Sequence, residues 1–175
     1  MKNINWKKKG PLALSCLILT AAMTTIDQVT KNMVAHSIPL DGRIEVIRDF
    51  FYLTNVRNTG AAFSMGEGMG MWFFLIITVA ALCAMVYYFL TTDDVRVEMC
   101  LALIAAGAIG NFIDRLTMGY VQDFFLFYLF GWPFPVFNVA DICITCGFIL
   151  LIATMLWDEW KETRNGKNQI SGTEH

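Results

Sequence analysis

The sequence predicts an all-α membrane protein: a four-transmembrane-helix bundle with a small extracytoplasmic β-rich segment and an interfacial aromatic helix. Three observations lead there. Of 175 residues, 56% are hydrophobic and only 16% are charged, whereas a soluble domain carries about 25% charged residues. Mean hydropathy is +0.51. The apolar excess is gathered into four long runs, and crossing about 30 Å of hydrocarbon needs about 20 such residues. The whole chain, 1–175, reads as one integral membrane domain.

The runs lie at about 10–30, 69–90, 97–115 and 136–157. The first follows Lys7, Lys8 and Lys9 and imitates a signal peptide, with Ser15-Cys16 hinting at a lipoprotein cleavage box. Ala13 stands where such a box wants Leu, and the apolar run continues past Cys16. It reads as an uncleaved first span. The third run is rich in small residues (Ala102, Ala105, Ala106, Gly107, Ala108 and Gly110), which suits close helix packing in lipid. Cys143-Ile144-Thr145-Cys146 is formally a C-x-x-C. It reads as two small residues packed in a membrane helix.

Orientation follows from basic residues, which favour the cytoplasmic side. Lys2, Lys7, Lys8 and Lys9 precede the first span; Lys161, Arg164 and Lys167 follow the last. Both termini are therefore expected in the cytoplasm. Lys31, Arg43, Arg48, Arg57 and Arg115 then fall outside, an unusual group that calls for a functional reason. The outer segment 39–64 mixes β-branched and aromatic residues and reads as β-rich. Segment 116–135 holds Phe124-Phe125-Leu126-Phe127-Tyr128-Leu129-Phe130, and dense aromatics beside a span favour headgroup level. The tail from Asn165 to His175 is polar and reads as disordered. Formal net charge is −2, and Lys and Arg form no stripe, so nucleic acid is not an expected partner.

Charged side chains at membrane depth are costly and usually functional. The candidates are Asp27, Lys31, Asp114, Arg115 and Asp141. Residue 97 to Asp114 is about 25 Å of outward-running helix, and residue 136 to Asp141 is about 7 Å of inward-running helix. The two carboxyls can therefore meet just below the outer interface, with Asp27 at a similar level. Two carboxyls in a low-dielectric site share a proton. One can then deprotonate a water while the other protonates a scissile carbonyl. The alternative is two unrelated interfacial aspartates, each capped or hydrated.

Asn111 lies three residues before Asp114, and Asn138 three before Asp141. Asn is costly in lipid unless paired, so each Asn-x-x-Asp face suggests a satisfied polar cluster, or else simple helix-helix glue. Asp27 and Lys31 are i, i+4 and could be a plain salt bridge. Arg115 could be a snorkelling anchor. Other chemistries lack their residues: the histidines are His36 and the terminal His175, there is no H-E-x-x-H or G-x-S-x-G, and Ser64 has no obvious base. No metal or cofactor is expected.

Five blocks, in order, resemble the lipoprotein signal peptidase (signal peptidase II) family. They are Asp27-Gln28-Val29-Thr30-Lys31, Asn58-Thr59-Gly60-Ala61-Ala62-Phe63, Gly107 through Arg115, Val121-Gln122-Asp123-Phe124, and Phe137-Asn138-Val139-Ala140-Asp141. Ala106 departs from the family's usual glycine. The resemblance implies an aspartic endopeptidase that removes the signal peptide from prolipoproteins, just before a diacylglyceryl-modified cysteine, and that globomycin inhibits. It implies Asp114 and Asp141 as the catalytic dyad. Asn111, Asn138, Arg115, Asp27, Lys31 and Asn58 are implied as support or substrate contacts, with Gly110 and Ala140 beside them. It likens the β-rich segment to the family's surface cradle and the aromatic segment to its flap. The expected partners are modified prolipoproteins and membrane lipid. The expected setting is a bacterial inner membrane, with the protein a monomer and its site near the outer face. The rival reading is a small proton- or cation-coupled transporter using the same acids.

Overall fold

The computed structural model describes residues 6–60 and 71–171, with side chains at 9–60 and 72–165. Ala61, Ala62 and Phe63 of the Asn58 block, and the end of the expected β-rich segment, lie outside the described residues. In chain order the elements are helix α1 (Trp6–Ser37), strands β1 (Arg43–Ile47) and β2 (Phe51–Asn58), helices α2 (Met71–Thr91) and α3 (Val95–Met118), strands β3 (Val121–Leu129) and β4 (Trp132–Pro133), and helix α4 (Val139–Ser171). All four helices are long and apolar enough to cross a membrane, and this is a multi-pass membrane protein.

Helix α3 is the centre of the bundle. Some 61% of its apolar window is buried, against 6% for α2. Its small residues make this possible. A Cβ on Gly107 would overlap the Ala140 carbonyl oxygen of α4, and one on Gly147 would sit 2.6 Å from Ile104 of α3. On the α1 side, Thr20 and Thr24 donate to the carbonyls of Ala102 (3.0 Å) and Ala106 (3.1 Å). Hydroxyl-to-carbonyl bonds of this kind hold helices together where lipid offers no hydrophobic drive. Ala106 is 1% exposed, so its methyl is packed fully inside the bundle.

Helix α3 begins at Asp94, whose side chain accepts from the Arg96 backbone N–H, and ends at Gly119 with φ 81°. Such left-handed C-caps favour glycine. Helix α4 runs on to Ser171, through polar residues that the sequence reads as a disordered tail.

Four antiparallel strands lie in the order β1-β2-β3-β4 at one end of the bundle. The sequence expectation of an aromatic helix after Arg115 is corrected here: those residues form β3 and β4. Aromatic side chains fit a pleated surface well, and β2 supplies the partner. Phe51 pairs with Phe127 and Leu53 with Phe125. The Phe51 and Phe127 rings stack at 4.6 Å. Phe124 packs under the sheet against Val34 and Ile38 at the end of α1, with Leu53, Phe125 and Val139 around them. That cluster fixes the sheet over the ends of α1 and α4.

Candidate active site

Two groups of polar side chains meet where the sheet covers the bundle. The first is an ionic knot between α1 and α3. Lys31 Nζ lies 2.8 Å from Asp27 Oδ2 and 2.8 Å from Asp114 Oδ2, and donates to Asn111 Oδ1 at 3.0 Å. Asp27 Oδ1 accepts from the Ala140 backbone N–H at 2.8 Å, tying α1 to the first turn of α4. Asp114 Oδ1 accepts from Gln28 Nε2 at 2.8 Å, and Oδ2 also accepts from the Gln122 N–H at 3.1 Å. Asp27, Lys31 and Asp114 are all buried; Asp114 is 1% exposed. Gly110 makes room for the knot, since a Cβ there would lie 2.5 Å from Asp27 Oδ2.

The second group joins β3 to α4. Asp123 Oδ1 accepts from Asn138 Nδ2 at 2.7 Å, and its Oδ2 accepts from Asn58 Nδ2 at 2.9 Å. Asp141 Oδ1 accepts from Asn111 Nδ2 at 2.9 Å, and its Oδ2 from the Asn138 backbone N–H at 3.2 Å. Asn138 Oδ1 in turn accepts from the Asp141 N–H at 2.9 Å. This reciprocal pair is a capping box at the start of α4. Asn138 therefore touches both carboxyls. It also donates to Asn111 Oδ1 at 3.1 Å, the acceptor that Lys31 uses.

The two groups differ in character. Asp114 is paired with the Lys31 cation, whereas Asp123, equally buried, and Asp141, half-buried, accept only from neutral amides. Asp114 and Asp141 are linked through Lys31 and Asn111. Asp123 and Asp141 are linked through Asn138 alone. Burial pushes the Asp123 carboxyl up to about 7; the Asp141 charge adds to the rise, and the donors Asn58 and Asn138 and the Lys31 charge oppose it. Arg115 reaches toward the same side. Its Nη2 donates to the Gly60 carbonyl at 3.0 Å, and its guanidinium lies 5.0 Å from the Phe74 ring centroid of α2.

The sequence-derived site residues Asp27, Lys31, Gly110, Asn111, Asp114, Asn138, Ala140 and Asp141 thus lie together, with Asn58 and Arg115 at the edge. Asp123 received no role from sequence reasoning, although a signal existed. It is the single charged residue between Val121 and Pro135. Gln28 and Gln122, which hold Asp114, were also passed over.

Comparison with known proteins now decides the family. A family model described as signal peptidase (SPase) II matches residues 19–157. The chain belongs to the signal peptidase II family. Among relatives of this family, the lipoprotein signal peptidase of Symbiobacterium thermophilum is 42% identical over 149 residues, covering 84% of this chain and 97% of that one. A lipoprotein signal peptidase of Staphylococcus aureus is 39% identical over 155 residues, covering 87% and 92%. Two solved structures, each described as a bacterial membrane enzyme, share the fold. One, at 2.3 Å resolution, has a TM-score of 0.78 and 39% identity, covering 83% of this chain and 89% of that one. The other, at 1.9 Å, has a TM-score of 0.74 and 39% identity, covering 81% and 92%. The matched residues include both polar groups.

Proposed function

We propose that this chain is an aspartic endopeptidase that removes the signal peptide from prolipoproteins, cutting just before the diacylglyceryl-modified cysteine. We further propose Asp123 and Asp141 as the acid pair, and Asp114 as the residue that, with Asp27 and Lys31, holds α1, α3 and α4 in place. The sequence reading put Asp114 in the pair. The observation favouring Asp123 is that Asn138 donates to Asp123 through its amide and to Asp141 through its backbone, and the donors on Asp123 are neutral amides, whereas Asp114 Oδ2 is paired with the Lys31 cation.

In this reading Asp123 holds the shared proton near neutrality and Asp141 is ionised. A water between them gives a proton to Asp141 and attacks the scissile carbonyl, whose oxygen accepts a hydrogen bond from Asp123. On collapse the proton on Asp141 passes to the leaving amine. Asn111 and Asn138 keep Asp141 oriented, and Asn58 does the same for Asp123. The scissile carbonyl of a helical signal peptide is tied up in an i to i−4 hydrogen bond, so the substrate unwinds locally at the pair.

The sheet end is then extracytoplasmic. Support comes from the other end, where Lys161 and Arg164 lie over the Trp157 and Trp160 rings, the pattern of a cytoplasmic interface belt. The diacylglyceryl chains would remain in lipid beside the site, in a bacterial inner membrane. The test is cleavage of a diacylglyceryl-modified precursor by purified protein, with and without globomycin. Globomycin-sensitive cleavage before the modified cysteine supports the reading. Absence of cleavage, or cleavage of unmodified precursor at equal rate, refutes it. Ion flux in protein-loaded liposomes without cleavage would instead favour the transporter.

A further inference from the structure

Strands β3 and β4 form a two-residue hairpin, with Leu129 opposite Trp132 and Phe130-Gly131 at the tip. Phe130 has φ 54° and Gly131 φ 81°. Two positive values in a tight hairpin turn favour Asn-Gly, and a bulky aromatic there is uncommon. Phe130 is also fully exposed at 103%, and Trp132 is 78% exposed. A strained residue that shows its whole ring to the surroundings needs a reason beyond the fold of the chain itself.

The residues around the tip say what surrounds it. From Leu129 to Phe137 the sequence is Leu-Phe-Gly-Trp-Pro-Phe-Pro-Val-Phe, with the Trp132 indole N–H as its one polar side-chain group. A protein-binding patch carries a polar, hydrogen-bonding rim; within this stretch no other side chain offers one, and the neighbouring Arg43 and Tyr128 bond each other at 3.2 Å. A fluid apolar phase asks for none; Trp is a residue of the membrane interface, and Phe lines the buried face of interfacial segments. The surface is also continuous with lipid-facing helix. The segment leads directly into α4, a candidate membrane span, whose Ile142 and Phe148 are exposed. Backbone bonds close the hairpin: the Phe134 N–H donates to the Phe127 carbonyl at 2.7 Å, and the Phe137 N–H to the Phe125 carbonyl at 3.2 Å.

We propose that the Phe130-Gly131 tip is a lipid anchor, with Phe130 and Trp132 entering the outer leaflet near the headgroup boundary. One leg of this hairpin carries Asp123, and the other leads to Asn138 and Asp141. Anchoring the tip would hold this hairpin, and Asp123 with it, against the membrane surface. The insertion stands by itself; its coupling to catalysis rests on the proposed function.

The test uses full-length protein with Trp132 as its only tryptophan, the other four changed to Phe. It is reconstituted in phosphatidylcholine–phosphatidylglycerol vesicles that contain phosphatidylcholine brominated near the headgroup or near the chain end. Blue-shifted Trp132 emission, quenched more by the shallow bromines, is the expected result. Emission typical of indole in water without quenching overturns insertion. A blue shift without quenching that depends on the protein-to-lipid ratio also overturns it, since a second copy would then cover the tip. Phe130→Asn supplies the second arm. It should melt higher in detergent, because Asn-Gly suits the turn, yet turn over lipidated precursor several-fold more slowly in vesicles. Equal turnover in vesicles removes the coupling. If the parent protein cleaves nothing, the proposed function fails and the quenching alone decides insertion.

Discussion

Asn138 and Asp141 exchange hydrogen bonds at the first turn of α4: the Asp141 N–H donates to Asn138 Oδ1 at 2.9 Å, and the Asn138 N–H donates to Asp141 Oδ2 at 3.2 Å. The same Asn138 side chain donates to Asp123 at 2.7 Å. A helix cap and a proposed acid pair therefore share one residue. Asn138→Ala should lose the cap, worth about 1 kcal/mol, and leave buried acceptors unpaired at about 1–3 kcal/mol. Both thermal stability and kcat/KM should fall, the latter roughly ten- to hundred-fold, measured on lipidated precursor.

The Asp123 carboxyl, pushed by burial up to about 7 from an ordinary 3.8, gives a pH signature. Below about 7 it keeps the proton that the mechanism donates; above, it has lost it. The value of kcat/KM should therefore decline as pH rises through about 7. Between the two values the folded chain holds a proton that the unfolded chain has released, so stability also declines as pH rises across that window. Asp123→Asn should flatten the stability slope, and thermal melts at pH 5 and pH 8 would show it. An unchanged slope would mean that Asp123 titrates normally.

Lys31 stands between two buried carboxylates. Lys31→Met leaves Asp27 and Asp114 without their cation, and breaking a buried pair costs about 3–5 kcal/mol. The variant should express poorly or melt much lower. Adding Asp114→Asn should recover part of that loss, because one unpaired charge is removed. Failure of the second change to help would argue against the knot.

Gly107 lets α3 and α4 touch. Gly107→Leu should force the helices apart, at about 1–3 kcal/mol or more for an overpacked site. Because Asn111 on α3 orients Asp141 on α4, turnover should fall with the melting temperature. A variant with normal stability and normal turnover would show that α3 and α4 do not touch closely at Gly107.

Much of this arrangement was legible in the sequence. Hydropathy alone separates the four helices, since lipid demands long uninterrupted apolar runs. The small residues around Gly107 mark the central helix. The polar faces of Asn111-Asp114 and Asn138-Asp141 mark the site, because such groups are too costly in lipid to stand unpaired. The aromatic strand was not legible. Phe124 to Phe130 has no clear alternation, and its partner β2 lies far back in the chain, so composition suggested a surface helix instead. Asp123 drew no notice for the same reason: its approach to Asn138 follows from strand pairing and the return of β4. Helical spacing reports depth in the membrane, which points to Asp114, and says nothing of the Lys31 pairing that the structure adds there.

The deciding measurement is single-turnover cleavage of a diacylglyceryl-modified precursor by Asp123→Asn and Asp114→Asn, each checked for folding by its melt. We expect Asp123→Asn to fold and to show no cleavage. Asp114→Asn should be less stable yet keep measurable cleavage. Normal cleavage by folded Asp123→Asn, with none by an equally folded Asp114→Asn, would contradict the assignment and return the pair to Asp114 and Asp141.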